Sequence, residues 1–138
     1  GLNYLNLYDE RSSLFCSKEH ELFHRDDSTV SINTIKQQDA VVPTYQQSSE
    51  VKPKYDELKL SATATDREGV AFLILTGRYI GYLPDHYAQR WVNEGAMRAL
   101  LPMAKNYVTH FAIITKKSTS PNSVLEAYLD QLTKSAVS

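Results

Sequence analysis

Residues 58–84 constrain the fold more than any other part of the sequence. Residues 58–65 alternate apolar and polar side chains with a period of two, the pattern of a half-buried strand. Asp66 can then cap a helix that stops at Gly77, and a short strand follows up to Pro84. A strand, a helix and a strand joined by loops this short are typical of a crossover unit, so the sequence predicts an α/β fold.

Similar elements flank this unit. Asp85 can cap a helix through Glu94, and Ser120 can cap a last helix that runs to Leu132. Apolar runs predict further strands at residues 2–8 continued by 13–16, and at 40–42, 97–101 and 108–115. This alternation of helices and strands predicts a mixed, mostly parallel sheet, in which the nearly continuous apolar run 108–115 is central.

Length and charge exclude several classes of protein. A chain of 138 residues is the size of one domain, and its 42% of hydrophobic residues is too high for intrinsic disorder. Fifteen Lys and Arg residues against sixteen Asp and Glu residues leave a net charge of −1. The chain therefore lacks the basic field on which a standalone nucleic-acid-binding domain depends.

The single cysteine, Cys16, excludes an internal disulfide framework and suggests a reducing compartment. The longest uncharged apolar stretch, residues 69–77, is about half as long as a bilayer span requires. The first residues carry no basic region ahead of an apolar core, as a signal peptide would. A cytoplasmic protein without membrane contact is the simplest expectation.

Two residue groups could carry chemistry, and for both the sequence favours a structural role. Cys16, His20 and His24 have the spacing of metal ligands on one helix face, but the local pattern predicts a strand end and a turn. Asp85 and His86 could form an oriented base, but the sequence favours a helix cap at Asp85 and an exposed first-turn residue at His86. The glycines have no dinucleotide-binding spacing. We therefore expect no catalytic residue, metal or cofactor.

The ordered motifs resemble one family over nearly the whole chain. Residues 66–84 read DREGVAFLILTGRYIGYLP, preceded by LYDE at 7–10, LFC at 14–16 and HEL at 20–22, and followed by MRALLP at 97–102, FAIITKK at 111–117 and the helix at 120–132. In this order and at these spacings they resemble the effector-binding domain of LysR-type bacterial transcriptional regulators. The family usually has His-Pro-Leu where this chain has Glu21 in the middle position.

The resemblance implies a periplasmic-binding-protein-like fold of type 2, with two Rossmann-like lobes joined by crossover strands. On this expectation residues 1–138 form a partial effector-binding domain. Residues 12–88 make the second lobe, while 1–11 and 89–138 make the crossover and the returning first-lobe segments. Because the first-lobe strands that would cover residues 108–114 and the last helix are missing, we expect self-association as a homodimer or by segment exchange.

The resemblance also implies a function. A small-molecule effector of unknown identity binds between the lobes, and closure changes how the subunits and their DNA-binding domains are arranged. The protein would not be an enzyme, and it would contact DNA only through an N-terminal helix-turn-helix domain that this chain lacks. The strand ends of the second lobe supply the expected ligand-binding residues, which are Thr44, Tyr45, Thr65, Asp66, Tyr82, Leu83 and Pro84.

Two other functions stay open at this point. A lobe of a periplasmic-type solute-binding protein shares the architecture, although it would normally carry an export signal. A small α/β enzyme that uses Asp85 and His86 is the other. A helix-turn-helix encoded upstream would support regulation, whereas a signal peptide would contradict it.

Overall fold

The computed structural model describes residues 2–44, 51–101 and 106–116, and the side chains within 9–44, 51–101 and 106–109. The chain divides into two compact units. One comprises Gly1–Glu10 and Thr109–Ser138, and the other is Arg11–Val108. Residues 89–108, which the sequence reasoning assigned to the returning segments, lie in the second unit.

Six strands and four α-helices occupy the described residues. The strands are β1 (Leu2–Ser17), β2 (Asp39–Pro43), β3 (Lys59–Ala64), β4 (Gly81–Pro84), β5 (Met97–Leu100) and β6 (Tyr107–Lys116). The helices are α1 (Ile32–Lys36), α2 (Lys52–Asp56), α3 (Arg67–Leu75) and α4 (Asp85–Asn93), and a 3₁₀ turn spans Asp27–Thr29.

The predicted strands are confirmed, and the two runs at 2–8 and 13–16 form the single long strand β1. The predicted α3 and α4 are also present. The helix predicted at 120–132 lies outside the described residues. The short helices α1 and α2 are additions, and Pro53 lies in the first turn of α2.

Strand β1 joins most of the sheet together. It pairs antiparallel with β4, where Leu14 lies opposite Tyr82, and antiparallel with β5, where Leu14 lies opposite Leu100. Strand β6 also pairs with β1. Successive residues of a strand point to opposite faces, so β1 supplies side chains to both sides of the sheet.

Parallel pairing occupies the other part of the sheet. β2 and β3 are parallel, with Pro43 opposite Ala64 at their carboxyl ends. The Val41 N–H donates to the Ile80 carbonyl and the Ile80 N–H donates to the Asp39 carbonyl, both at 2.9 Å. The sheet is therefore mixed, as expected. Its parallel pairing lies around β2, β3 and the residue before β4, whereas both described ladders of β1 with β4 and β5 are antiparallel.

Two apolar clusters cover the two faces of this sheet. Leu14 and Tyr82 belong to one cluster, while their chain neighbours Phe15 and Leu83 belong to the other. The first cluster also holds residues of α1 and α2, and the second holds residues of α3 and α4. The sheet is thus the middle of three layers, as α/β folds require.

The helix ends follow the sequence with one correction. The Asp66 carboxylate caps α3 by accepting the Gly69 N–H at 2.8 Å, and Gly77 follows α3 with φ of 85°. Asp85 does not cap α4. Pro84 is the cap residue, with φ −57° and ψ 135°, and no side chain caps this end. Because β4 runs directly into α4, Asp85 is already the first helical residue.

Arg98 in β5 holds the turn that follows β1. Its guanidinium donates to the carbonyl oxygens of Leu22 at 3.3 Å and Phe23 at 3.0 Å, and also to that of Arg25. It also pairs with the Asp27 carboxylate. The Arg98 side chain is only 22% exposed, so these bonds are partly shielded from water. One planar group with several donors satisfies a whole turn of backbone carbonyls.

We expect Arg98→Met to lower the free energy of unfolding by about 2–3 kcal/mol, because partly buried carbonyls lose a charged donor. Arg98→Lys should recover less than half of this loss, since an ammonium group cannot span the same carbonyls. Urea denaturation measures both variants. Arg11→Met, at an exposed position of β1, is the control. A loss of unfolding free energy below about 0.5 kcal/mol for Arg98→Met would contradict the stabilising role of the Arg98 hydrogen bonds.

The side chain of His20 is buried in this same turn. Its Nδ1 accepts the Leu22 N–H at 3.1 Å, and burial lowers the pKa of His20 below its usual 6.5, while the Glu21 carboxylate acts in the opposite direction. The folded chain therefore holds His20 neutral, in the form that can accept this hydrogen bond.

A lowered pKa at His20 makes stability depend on pH. The contribution of neutral His20 is fully present above pH 6.5 and is lost as the pH falls toward the pKa of the folded state, because only the unfolded chain takes up the proton there. Asn at position 20 keeps a hydrogen-bond acceptor but does not titrate. We therefore expect the free energy of unfolding of His20→Asn to fall less than that of wild type when the pH is lowered from about 7 to about 5. Equal losses would contradict this. His24→Asn, at an exposed position, is the control for urea denaturation at each pH.

Candidate functional site

The carboxyl ends of β2, β3 and β4 lie at one edge of the sheet. They end at Pro43, Ala64 and Pro84. The Thr44 N–H donates to the Ala64 carbonyl at 2.8 Å, which ties the ends of β2 and β3 together. Open α/β sheets bind ligands just beyond the carboxyl ends of their strands.

A cavity of about 390 Å³ opens at this edge, beside the first turns of α3. Three threonines and the exposed Phe72 contribute to its wall, and no charged residue does. The lining residues are Thr44, Thr63, Ala64, Thr65, Gly69, Phe72 and Leu73. Such a wall offers hydrogen bonds and apolar contact to an uncharged part of a ligand.

The structure brings two of the expected ligand-binding residues together. Thr44 and Thr65 are both exposed and both line the cavity. Asp66 is adjacent, but its carboxylate accepts the Gly69 N–H, so its role here is to hold the start of α3. Tyr45 lies outside the described residues. Sequence reasoning missed Thr63 and Phe72, although the period of two in β3 and the helical spacing from Gly69 place them beside the expected residues.

The three residues expected from β4 do not line this cavity. Tyr82 and Leu83 are buried on opposite faces of the sheet, with 3% and 1% of their surface exposed. Pro84 is partly exposed at the junction with α4. These residues support the edge from within.

Tyr82 belongs to a cluster of three tyrosines behind the edge. Its ring centroid lies 5.2 Å from that of Tyr55 in α2 and 5.0 Å from that of Tyr107 in β6. The Tyr55 and Tyr107 hydroxyls are hydrogen bonded at 3.2 Å. The Tyr82 hydroxyl is buried without a partner among the described residues, and burial raises its pKa. The sequence analysis did not identify Tyr55 or Tyr107 as part of a cluster with Tyr82.

The other candidate groups do not form a reactive site. Cys16 is fully buried, and burial raises the pKa of its thiol to about 12, so it is a protonated, apolar residue at neutral pH. His86 is exposed in the first turn of α4. Within residues 2–44, 51–101 and 106–116, no three His, Cys, Asp or Glu side chains are placed to share a metal ion. None of the helices described there is long and apolar enough to cross a membrane.

The tyrosine cluster yields a matched pair of substitutions. Tyr107→Phe breaks the bond to Tyr55 and should lower the free energy of unfolding by about 1 kcal/mol. Tyr82→Phe should leave it unchanged or raise it, because the buried hydroxyl has no partner among the described residues. Urea denaturation of both variants tests this order, and the reverse order would contradict it.

A family model described as the LysR substrate binding domain matches residues 1–136. The HTH-type transcriptional activator BauR of Pseudomonas aeruginosa is 48% identical over 130 residues, which are 94% of this chain and 43% of the activator. The chain thus spans less than half of that relative.

Solved structures agree in fold. The regulatory domain of MetR, a LysR family regulator from N. meningitidis, superimposes with a TM-score of 0.69 at 11% identity over 93% of this chain and 61% of that one. Full-length LysG of Corynebacterium glutamicum, solved with its effector Arg bound, gives 0.66 at 12% identity over 90% and 43%. The expected α/β fold of the type 2 periplasmic-binding-protein class is confirmed.

Proposed function

The chain belongs to the family of LysR substrate-binding domains, and from this premise we propose that it is the effector-sensing part of a transcriptional regulator. One observation supports a ligand site in particular. Thr44 and Thr65, both expected from the strand ends, line one cavity at the carboxyl edge of the sheet.

At this site the hydroxyls of Thr44 and Thr65 bind the ligand directly, and Tyr45, the next residue in the sequence after Thr44, contributes a further contact. Asp66 holds the first turn of α3. Buried packing of Tyr82 and Leu83, together with Pro84 at the junction with α4, keeps β4 in place beside the ligand-binding residues. The first turn of α4 has no side-chain cap, so its N–H groups are not taken by Asp85. A neutral acceptor on the effector would find donors there, whereas the Asp85 carboxylate in the same turn disfavours an anionic group.

Effector binding at this edge changes the arrangement of the two lobes, and through it the arrangement of the subunits. In this proposal residues 12–88 form the second lobe, and 1–11 with 89–138 form the crossover and the returning segments of the first, although residues 89–108 lie in the same compact unit as residues 12–88. An effector that touches both lobes favours their closed arrangement, and closure shifts the arrangement of the subunits of a homo-oligomer. A separate helix-turn-helix domain of the intact protein then contacts promoter DNA in the cytoplasm.

This function involves no catalysis. The family comprises transcriptional regulators and not enzymes. A solute-binding lobe for transport shares the fold, but the relative at 48% identity is a transcriptional activator, which favours regulation.

Thermal-shift screening of the intact protein with amino acids, small carboxylates and aromatic acids tests the site. For any compound that raises the melting temperature, we expect Thr65→Val to weaken binding about tenfold, because a hydrogen bond to the ligand is lost. Thr65→Ser keeps the hydroxyl and should bind within about twofold of wild type. If Thr65→Val binds every such compound as wild type does, the assignment of this cavity fails.

A further inference from the structure

A second cavity lies at the opposite edge of the same sheet. It has a volume of about 530 Å³ and is placed where β1 ends and β2 begins, next to the turn between α3 and β4. Its lining is polar and mostly ionisable, in contrast to the threonine-lined cavity. The residues are Glu19, His20, Glu21, Gln37, Gln38, Asp39, Gly77 and Arg78.

The charges in this lining have two signs and differ in how far they are already paired. Asp39 accepts a hydrogen bond from Ser61 at 2.7 Å and pairs with Lys59 at 3.3 Å, and these contacts lower its pKa. Glu19 and Glu21 form no ion pair with any residue that the structure describes. Arg78 forms none either, although its charge also contributes to the lowered pKa of Asp39. The cavity therefore offers two carboxylates and one guanidinium to a ligand.

His20 adds a donor that the protein itself does not use. The side chain retains only 6% of its exposed surface, and its Nδ1 accepts the Leu22 N–H. The neutral ring then carries its proton on Nε2, and this N–H has no hydrogen-bond partner among the described residues. Because His20 lines the cavity, its Nε2–H can donate to an acceptor that binds there.

Gly77 brings the two walls of the cavity together. A Cβ at this position would lie 2.5 Å from the Cβ of Glu19 and 3.1 Å from the Glu19 carbonyl oxygen. Only glycine allows this approach, and its φ of 85° is the left-handed region that glycine favours. The turn that carries Arg78 is therefore held against the turn that carries Glu19, His20 and Glu21.

We propose that this second cavity binds a small zwitterion, with its ammonium group on the Glu19 and Glu21 carboxylates and its carboxylate on the Arg78 guanidinium and the His20 Nε2–H. Charged hydrogen bonds of both signs are the arrangement that such a ligand requires. A metal ion does not suit the described lining, because Nε2 is protonated and no three ligating side chains converge. The site lies at the amino ends of β2 and β4 and does not depend on the effector site at their carboxyl ends.

Three matched compounds test the proposal on the intact protein: 5-aminopentanoate, pentylamine and pentanoate. We expect NMR titration to give 5-aminopentanoate an affinity at least about tenfold above either half-molecule, since only it uses both charged walls. Arg78→Gln should abolish its advantage over pentylamine. The double substitution Glu19→Gln and Glu21→Gln should abolish its advantage over pentanoate.

Thr65→Val separates the two cavities and should leave 5-aminopentanoate binding unchanged. The proposal fails if no compound binds, if the three bind equally, or if Arg78→Gln has no effect. It also fails if Thr65→Val alone removes the binding, which would place the ligand at the carboxyl edge instead. The first three outcomes do not bear on whether a ligand binds beside Thr65, whereas the fourth would support binding there.

Discussion

The alternation of side chains along β1 is the constraint on which the second unit depends. Leu14 enters one apolar cluster and Phe15 enters the other, while β4 and β5 pair with the strand on its two sides. Both faces must therefore be covered by helices, and a slip of one residue would exchange the two cores. Arg98 of β5 then holds the turn that follows β1, through the Phe23 carbonyl and the Asp27 carboxylate. The pairing of β1 with β5 therefore also sets the position of the residues that lead into α1.

The two edges of the sheet acquire different chemistry from this arrangement. At the carboxyl edge, β3 runs into a capped helix and leaves hydroxyls and one aromatic ring around a cavity. At the amino edge, the turn after β1 meets the turn before β4, and the first supplies Glu19 and Glu21 while the second supplies Arg78. One edge can contact an uncharged ligand surface, and the other can contact charge of either sign.

Local patterns were sufficient for the strands and for α3, because periodicity, an Asp cap and a glycine stop all act within a few residues. Thr44 and Thr65 were expected from the resemblance to LysR-type regulators, which places ligand-binding residues at strand ends, and each does directly follow a strand. That they bind a ligand stays a prediction. The five-residue helices α1 and α2 are too short to show a helical period. The Tyr55–Tyr107 bond and the Arg98 contacts join residues more than fifty positions apart, so only the folded chain reveals them.

The direct passage from β4 into α4 has a mechanical consequence. No loop residue separates the two elements, and Pro84 at their junction has a restricted backbone. A displacement of β4 along its own axis would therefore move α4 by a similar distance, because the two elements form one rigid body. The last turns of α4 carry Arg90 and Trp91, and the Arg90 guanidinium lies 4.4 Å from the centre of the Trp91 ring. A shift of the buried strand β4 would thus change the position of the surface formed by Arg90 and Trp91.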